Sequence, residues 1–144
     1  TALYANAAVN PAHRSAAERV LEAAGKVIWV KEESMLDAVT AVSGSGPAYF
    51  FLLMEHMIKA GTELGLDAQT SKTLTLQTAY GAALMAQQAT ESVATLRENV
   101  TSPAGTTEAA LNKMLEQHVP KAVVSAMHAA HQRSIELAKE FGKP

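Results

Sequence analysis

Asn99-Val100-Thr101-Ser102-Pro103-Ala104-Gly105-Thr106-Thr107-Glu108 reads as a loop turning into the first turn of a helix. Ser102 suits the N-cap, and Pro103 suits the first helical position, where a missing N–H loses no partner. Glu108 then puts negative charge in the first turn, where the helix dipole favours it. The expected result is a set of free backbone N–H groups from Ala104 to Thr107, flanked by three hydroxyls. Gly105 has no side chain, so a ligand could approach the backbone closely. Such a terminus seats a carboxylate or a phosphate. The same residues also suit an ordinary capped helix that binds nothing.

Other candidates are weaker. Gly44-Ser45-Gly46 is not a dinucleotide fingerprint, because Tyr49 stands where a third glycine or alanine belongs and a helix precedes it. No Walker motif is present. His128 and His131 are three apart on one helix, but no nearby carboxylate completes a ligand set, and Glu55-His56 is not a zinc helix motif. No metal site is therefore expected. Glu91 and Glu98 bracket the approach to the loop, and Asp37 lies one turn before Ser43-Gly44-Ser45-Gly46; each alone reads as a solvated helix charge. No Ser-His-Asp order stands out, and no catalytic residue is assigned.

The elements that must position these residues are mostly helical. Residues 1–6 are strand-like. Asn10 can cap a helix with Pro11 in its first turn, on which Ala16, Ala17, Val20, Leu21 and Ala24 share a face. Gly25 ends that helix, and Lys26-Val27-Ile28-Trp29-Val30 follows as a strand. After Ser34 the pattern is helical throughout. A short helix over 35–42 is broken by Ser43-Gly44-Ser45-Gly46, and Pro47 starts a long helix to about Leu64. Its turns Tyr49-Phe50-Phe51-Leu52-Leu53-Met54 are apolar almost all round, so part of their cover must come from another chain. Asp67 caps a helix over about 68–90, a short segment over 92–97 leads into the loop, and Pro120 opens the last helix. There Val124, Met127, His131, Ile135 and Ala138 share a face.

The bounds agree. The chain has 144 residues, 48% of them hydrophobic and 18% charged, with 28 alanines, which favours closely packed helices. A net charge of −2 without any basic run argues against nucleic acid. The absence of cysteine excludes disulfides and thiol chemistry. The most apolar run, 38–54, is interrupted and too short for a bilayer span of about 20 residues. With no initiator Met and no signal peptide, a cytoplasmic protein is expected, beginning inside a longer one.

Two motifs carry a resemblance. Asp37-Ala38-Val39-Thr40-Ala41-Val42-Ser43-Gly44-Ser45-Gly46-Pro47-Ala48-Tyr49 resembles the start of the C-terminal domain of pyrroline-5-carboxylate reductases, and Leu96-Arg97-Glu98-Asn99-Val100-Thr101-Ser102-Pro103-Ala104-Gly105-Thr106-Thr107 is similar to that family's signature. The resemblance covers essentially the whole chain. It implies residues 1–33 as the tail of a Rossmann dinucleotide-binding domain and 34–144 as a helical dimerisation and substrate-binding domain, a mainly α fold after a strand–helix–strand remnant. It implies reduction of the cyclic imine 1-pyrroline-5-carboxylate to proline, the last step of proline biosynthesis, with NADPH or NADH held mainly by a domain outside this chain. It implies a homodimer, and in many members a ring of dimers, acting on a small imino acid.

Carried over by position, the backbone of Gly105, Thr106 and Thr107 would hold the substrate carboxylate, with the hydroxyls of Ser102 and Thr107 assisting. Thr40 would lie near the imine ring, and Ser43, Gly44, Ser45 and Gly46 near the nicotinamide. Glu91 would face the ring nitrogen through water. Two departures stand out: Ala104 replaces a glycine common in the family, which strains the loop if its φ is positive, and Ser92-Val93 replaces a common His-Pro. The rival reading is a purely structural dimerisation module of a related dehydrogenase.

Overall fold

The computed structural model describes residues 1–142, in two compact units. The first comprises Thr1–Gly46 with the C-terminal segment from Ser125. Its β1 (Ala2–Leu3) and β2 (Ile28–Trp29) pair in parallel, Ala2 opposite Ile28 and Leu3 opposite Trp29, and α1 (Pro11–Glu22) makes the crossover. Parallel neighbours require such a connection. The strands are shorter than the expected 1–6 and 26–30, since each has only one neighbour to bond. The pairing is extended by Ile28 N donating to Thr1 O at 2.9 Å and Val30 N donating to Leu3 O at 2.8 Å. Asn10 caps α1 as read, its Oδ1 accepting from His13 N at 2.9 Å. The Arg14 guanidinium lies 4.0 Å from the centre of the Trp29 ring, a cation–π contact joining α1 to β2.

The helix expected over 35–42 does not end in a glycine-rich turn. α2 (Met35–Val39) passes directly into a π-helical turn, Thr40–Gly44, closed by Ser45 N donating to Thr40 O at 2.8 Å. The reason is local. Pro47 lacks an N–H, and its ring crowds the carbonyl four residues back, so an unbroken α-ladder cannot continue through it. Thr40 Oγ1 and Ser43 Oγ donate to Leu36 O and Val39 O, both at 2.9 Å, and such back-bonding loosens the ladder further. Widening the turn by one residue absorbs both perturbations.

On α7 (Val119–Phe141), whose C-terminal part lies in this unit, Met127, Ala130, His131, Ser134 and Ile135 are half-buried. Val124 and Ala138, the ends of the expected stripe, are exposed. Asp37, expected as a solvated charge, instead accepts a hydrogen bond from Ser134 Oγ at 2.7 Å.

The second unit spans Pro47–Val124. α3 (Gly46–Glu63) starts one residue before Pro47 and ends at Gly65, whose φ of +101° only glycine adopts cheaply. Leu66 N donates to Gly61 O and Gly65 N to Thr62 O, a Schellman closure. Asp67 caps α4 (Ala68–Gln88), and its bonds from the Thr70 hydroxyl and backbone N–H hold its carboxyl below the ordinary carboxylate range. α3 and α4 meet where Gly61 faces Ser71; a Cβ on Gly61 would stand 2.3 Å from Ser71 Oγ. Ser71 is buried and donates to Ile58 O at 2.7 Å. Close approach here needs the glycine. α5 (Val93–Asn99) is capped by Ser92, and α6 (Thr106–Glu116) ends at His118, which has a left-handed φ of +56°.

Very little apolar surface is covered. Among the described residues Ala41 is the buried hydrophobic core, while Phe50, Phe51, Leu52 and Leu53 are each at least half exposed. The isolated chain is therefore expected to sediment at no less than twice its 15.2 kDa mass at micromolar concentration. A compact, stable monomer under those conditions contradicts this.

Candidate functional site

The loop before α6 departs from its sequence reading in an informative way. The helix starts at Thr106 with Gly105 as N-cap, not at Pro103 with Ser102 as N-cap. Residues 102–105 form a tight turn in which Gly105 N donates to Ser102 O at 3.0 Å. A Cβ on Gly105 would lie 2.9 Å from that same carbonyl, so the glycine makes room for the turn itself before any ligand. Ala104 sits at φ +57°, the left-handed conformation in which alanine is strained by about 1 kcal/mol. Its N–H is not idle: Glu108 reaches back, and its Oε2 accepts from Ala104 N at 2.7 Å. This is close to a capping box, with the acid at the third helical position and the bond displaced by one residue. The Gly105-x-x-Glu108 spacing was the available signal for this helix start.

The free donors are therefore fewer than the expected four. Ala104 and Gly105 are bonded within the loop, whereas Thr106 and Thr107 open α6 with N–H groups that no side-chain oxygen caps. Ser102, Thr106 and Thr107 are all exposed. Two parallel backbone N–H groups at the positive end of an 11-residue helix form a cradle for one anionic group.

The remaining candidates divide between the two units. Glu91, in the same unit as the loop, is exposed in the connection between α4 and α5, and Thr90 Oγ1 donates to its carboxylate at 3.3 Å. Ser92 beside it caps α5, its Oγ accepting from Thr95 N at 3.1 Å. Ser92-Val93 thus reads as a helix start, with serine as the cap in front of it. In the other unit Thr40, Ser43 and Gly44 are exposed on the π-turn, Ser45 is half-buried and Gly46 is buried. The hydroxyl hydrogens of Thr40 and Ser43 are committed to backbone carbonyls, leaving their lone pairs as acceptors. Among the described residues no group of three or more His, Cys, Asp or Glu side chains could hold a metal ion, and no helix is long and apolar enough to cross a membrane. Shallow depressions against α7 (Ala138, Lys139, Glu140, Gly142) and α4 (Tyr80, Ala83, Leu84, Gln87) do not include the loop.

Helices with an uncovered apolar layer, entered through a parallel strand–helix–strand unit and carrying an uncapped helix start, define a helical association domain. The comparisons name it. The family model for pyrroline-5-carboxylate reductase dimerisation matches residues 33–137, so the chain belongs to the pyrroline-5-carboxylate reductase family. It is 52% identical over 141 residues to the pyrroline-5-carboxylate reductase of Pseudomonas aeruginosa, covering 98% of this chain and 52% of that protein. A pyrroline-5-carboxylate reductase structure from Coxiella burnetii superposes with a TM-score of 0.89 at 43% identity, over 94% of this chain and 50% of that one. A pyrroline carboxylate reductase structure from Plasmodium falciparum, with NADP bound, gives 0.85 at 31%, over 92% and 51%. The chain spans about half the length of the curated relatives it matches.

The strained residue supplies a prediction. Ala104→Gly removes the left-handed penalty but loosens the unfolded chain, for a net stabilisation of about 0.5–1 kcal/mol. Ala104→Val, β-branched at positive φ, destabilises by more than 1 kcal/mol by the same steric cost. Denaturant titrations at one fixed protein concentration check both, because self-association couples to stability.

Proposed function

We propose that the protein containing this chain reduces 1-pyrroline-5-carboxylate to proline with NADPH or NADH, as a cytoplasmic homodimer or a ring of dimers. What carries the reading is a helix start at which the first backbone N–H groups, those of Thr106 and Thr107 among them, have no side-chain cap, in a chain of this family. In this reading residues 1–33 are the tail of the dinucleotide-binding domain, and 34–144 form the dimerisation and substrate-binding domain. The parallel β1–β2 pair and a family match that begins at residue 33 support that division.

The N–H groups of Thr106 and Thr107 bind the substrate carboxylate, with the Ser102 and Thr107 hydroxyls as further donors. Gly105 contributes by shaping the turn, since its own N–H is spent on Ser102 O. Anchoring the carboxylate fixes the C=N carbon in one orientation, which removes rotational freedom before reaction. When bound, the reduced nicotinamide supplies the hydride that this carbon accepts; the ring nitrogen takes a proton and the imine becomes a secondary amine. The π-turn suits a flat ring, because Ser43 and Gly44 are exposed and Gly44 carries no Cβ. Ser45 and Gly46 act there through the backbone that shapes the turn. Thr40 flanks the imine, with lone pairs but no spare hydroxyl hydrogen. Glu91, exposed and held by Thr90, orders the water that faces the ring nitrogen.

Two measurements test this. The chain by itself is expected to oxidise no NAD(P)H when given pyrroline-5-carboxylate; turnover that co-purifies with it at constant specific activity contradicts the proposed division of labour. In the intact enzyme Thr107→Val deletes one hydrogen bond to a charged group, a loss of about 1.5–3 kcal/mol, and lowers kcat/KM by about 10- to 150-fold. Cofactor affinity and melting temperature stay near wild type. An unchanged kcat/KM in a folded Thr107→Val enzyme removes Thr107 from the substrate site.

A further inference from the structure

We infer that Ser134, on the last helix, is a positioning residue for the π-turn at 40–44, acting through Asp37; the inference rests on the reductase reading above. Ser134 Oγ donates to Asp37 Oδ1 at 2.7 Å, joining positions 97 apart in sequence, and both residues are half-buried. Asp37 is the third residue of α2, and its main-chain carbonyl accepts the N–H of Thr40, where the π-turn begins. The Leu36 carbonyl accepts the same N–H together with the Thr40 hydroxyl. Thr40 O in turn accepts Ser45 N–H across the widened turn at 2.8 Å. Three hydrogen bonds, linked covalently through Asp37 and Thr40, thus connect Ser134 with the closing bond of the π-turn.

The position of that tie matters because of the neighbouring register. A π-turn competes with an ordinary α-turn one residue tighter, and it persists only where its surroundings hold it. α2 has five residues and no side-chain cap at Ser34, so its own ladder holds it weakly. Beyond the turn bonds from Met35, Leu36 and Asp37 N–H to the carbonyls of Glu32, Glu33 and Ser34, it is held by the contact with β1 and the bond from Ser134. Removing the hydroxyl leaves a half-buried carboxylate oxygen short of a donor and frees α2 to shift. Any shift reaches Thr40, Ser43 and Gly44 directly, and so changes the approach of the imine carbon to the nicotinamide.

The test uses the full-length enzyme with Ser134→Ala, Ser134→Thr and Asp37→Asn. A misplacement of this kind lowers kcat by about 10-fold or more. For Ser134→Ala we expect that fall with both KM values within twofold of wild type. The deuterium isotope effect measured with 4-deuterated cofactor should rise, because hydride transfer becomes more rate-limiting. Ser134→Thr keeps the donor and Asp37→Asn keeps an acceptor, so both should retain kcat within threefold. If Ser134→Ala does not fold, Ser134→Thr and Ser134→Val, equal in shape and differing in the hydroxyl, give the same comparison. Wild-type kcat and isotope effect in Ser134→Ala overturn the positioning role alone. A lowered melting temperature with an unmoved isotope effect also overturns it, leaving a purely structural bond. Absence of imine reduction by the wild-type enzyme overturns the reductase reading itself.

Discussion

This chain cannot bury its apolar surface by folding on itself, and that constraint governs the rest. Helix α3 exposes Phe50, Phe51, Leu52 and Leu53, while among the described residues Ala41 is the buried hydrophobic core. A helix apolar on every side is stable in water only when covered on every side. The matching family model is that of a dimerisation domain, in keeping with cover from self-association. The ties inside the chain are correspondingly small and partly polar. Ser71 bonds the Ile58 carbonyl against Gly61, and Ser134 bonds Asp37. Such contacts set register, and the hydrophobic stabilisation has to come from association.

The two places proposed to meet ligand are also where the helical ladder is irregular. At 40–44 a proline and two back-bonding hydroxyls widen one turn. At 102–105 an alanine is held left-handed, and a glutamate from the following helix accepts its N–H. Regular helix satisfies its own backbone and offers nothing to a ligand. Irregular helix leaves groups unspent, and the structure around it must offset the strain. Glu108 does so at the loop. The net result there is a pair of outward N–H groups on Thr106 and Thr107, in place of a longer row.

The sequence by itself determined the elements whose causes are local. Asn10 and Asp67 are caps, Gly25 ends a helix, and the apolar character of residues 49–54 pointed to an open face. The strand–helix–strand opening and the two family motifs were equally legible. These follow from backbone donors, dihedral preferences and side-chain period, which neighbours in sequence decide. Tertiary and medium-range packing decided the remainder. The π-turn at 40–44 has local causes in Pro47 and the Thr40 and Ser43 hydroxyls, but a glycine corner at 43–46 accommodates Pro47 equally, so sequence left the choice open. The start of α6 moved from Pro103 to Thr106 because Glu108 captured a backbone donor that a serine cap would have left free. The partner of Asp37 lay 97 residues away, a distance over which no periodicity speaks. A hydrogen bond between remote residues is fixed only when packed helices bring donor and acceptor together.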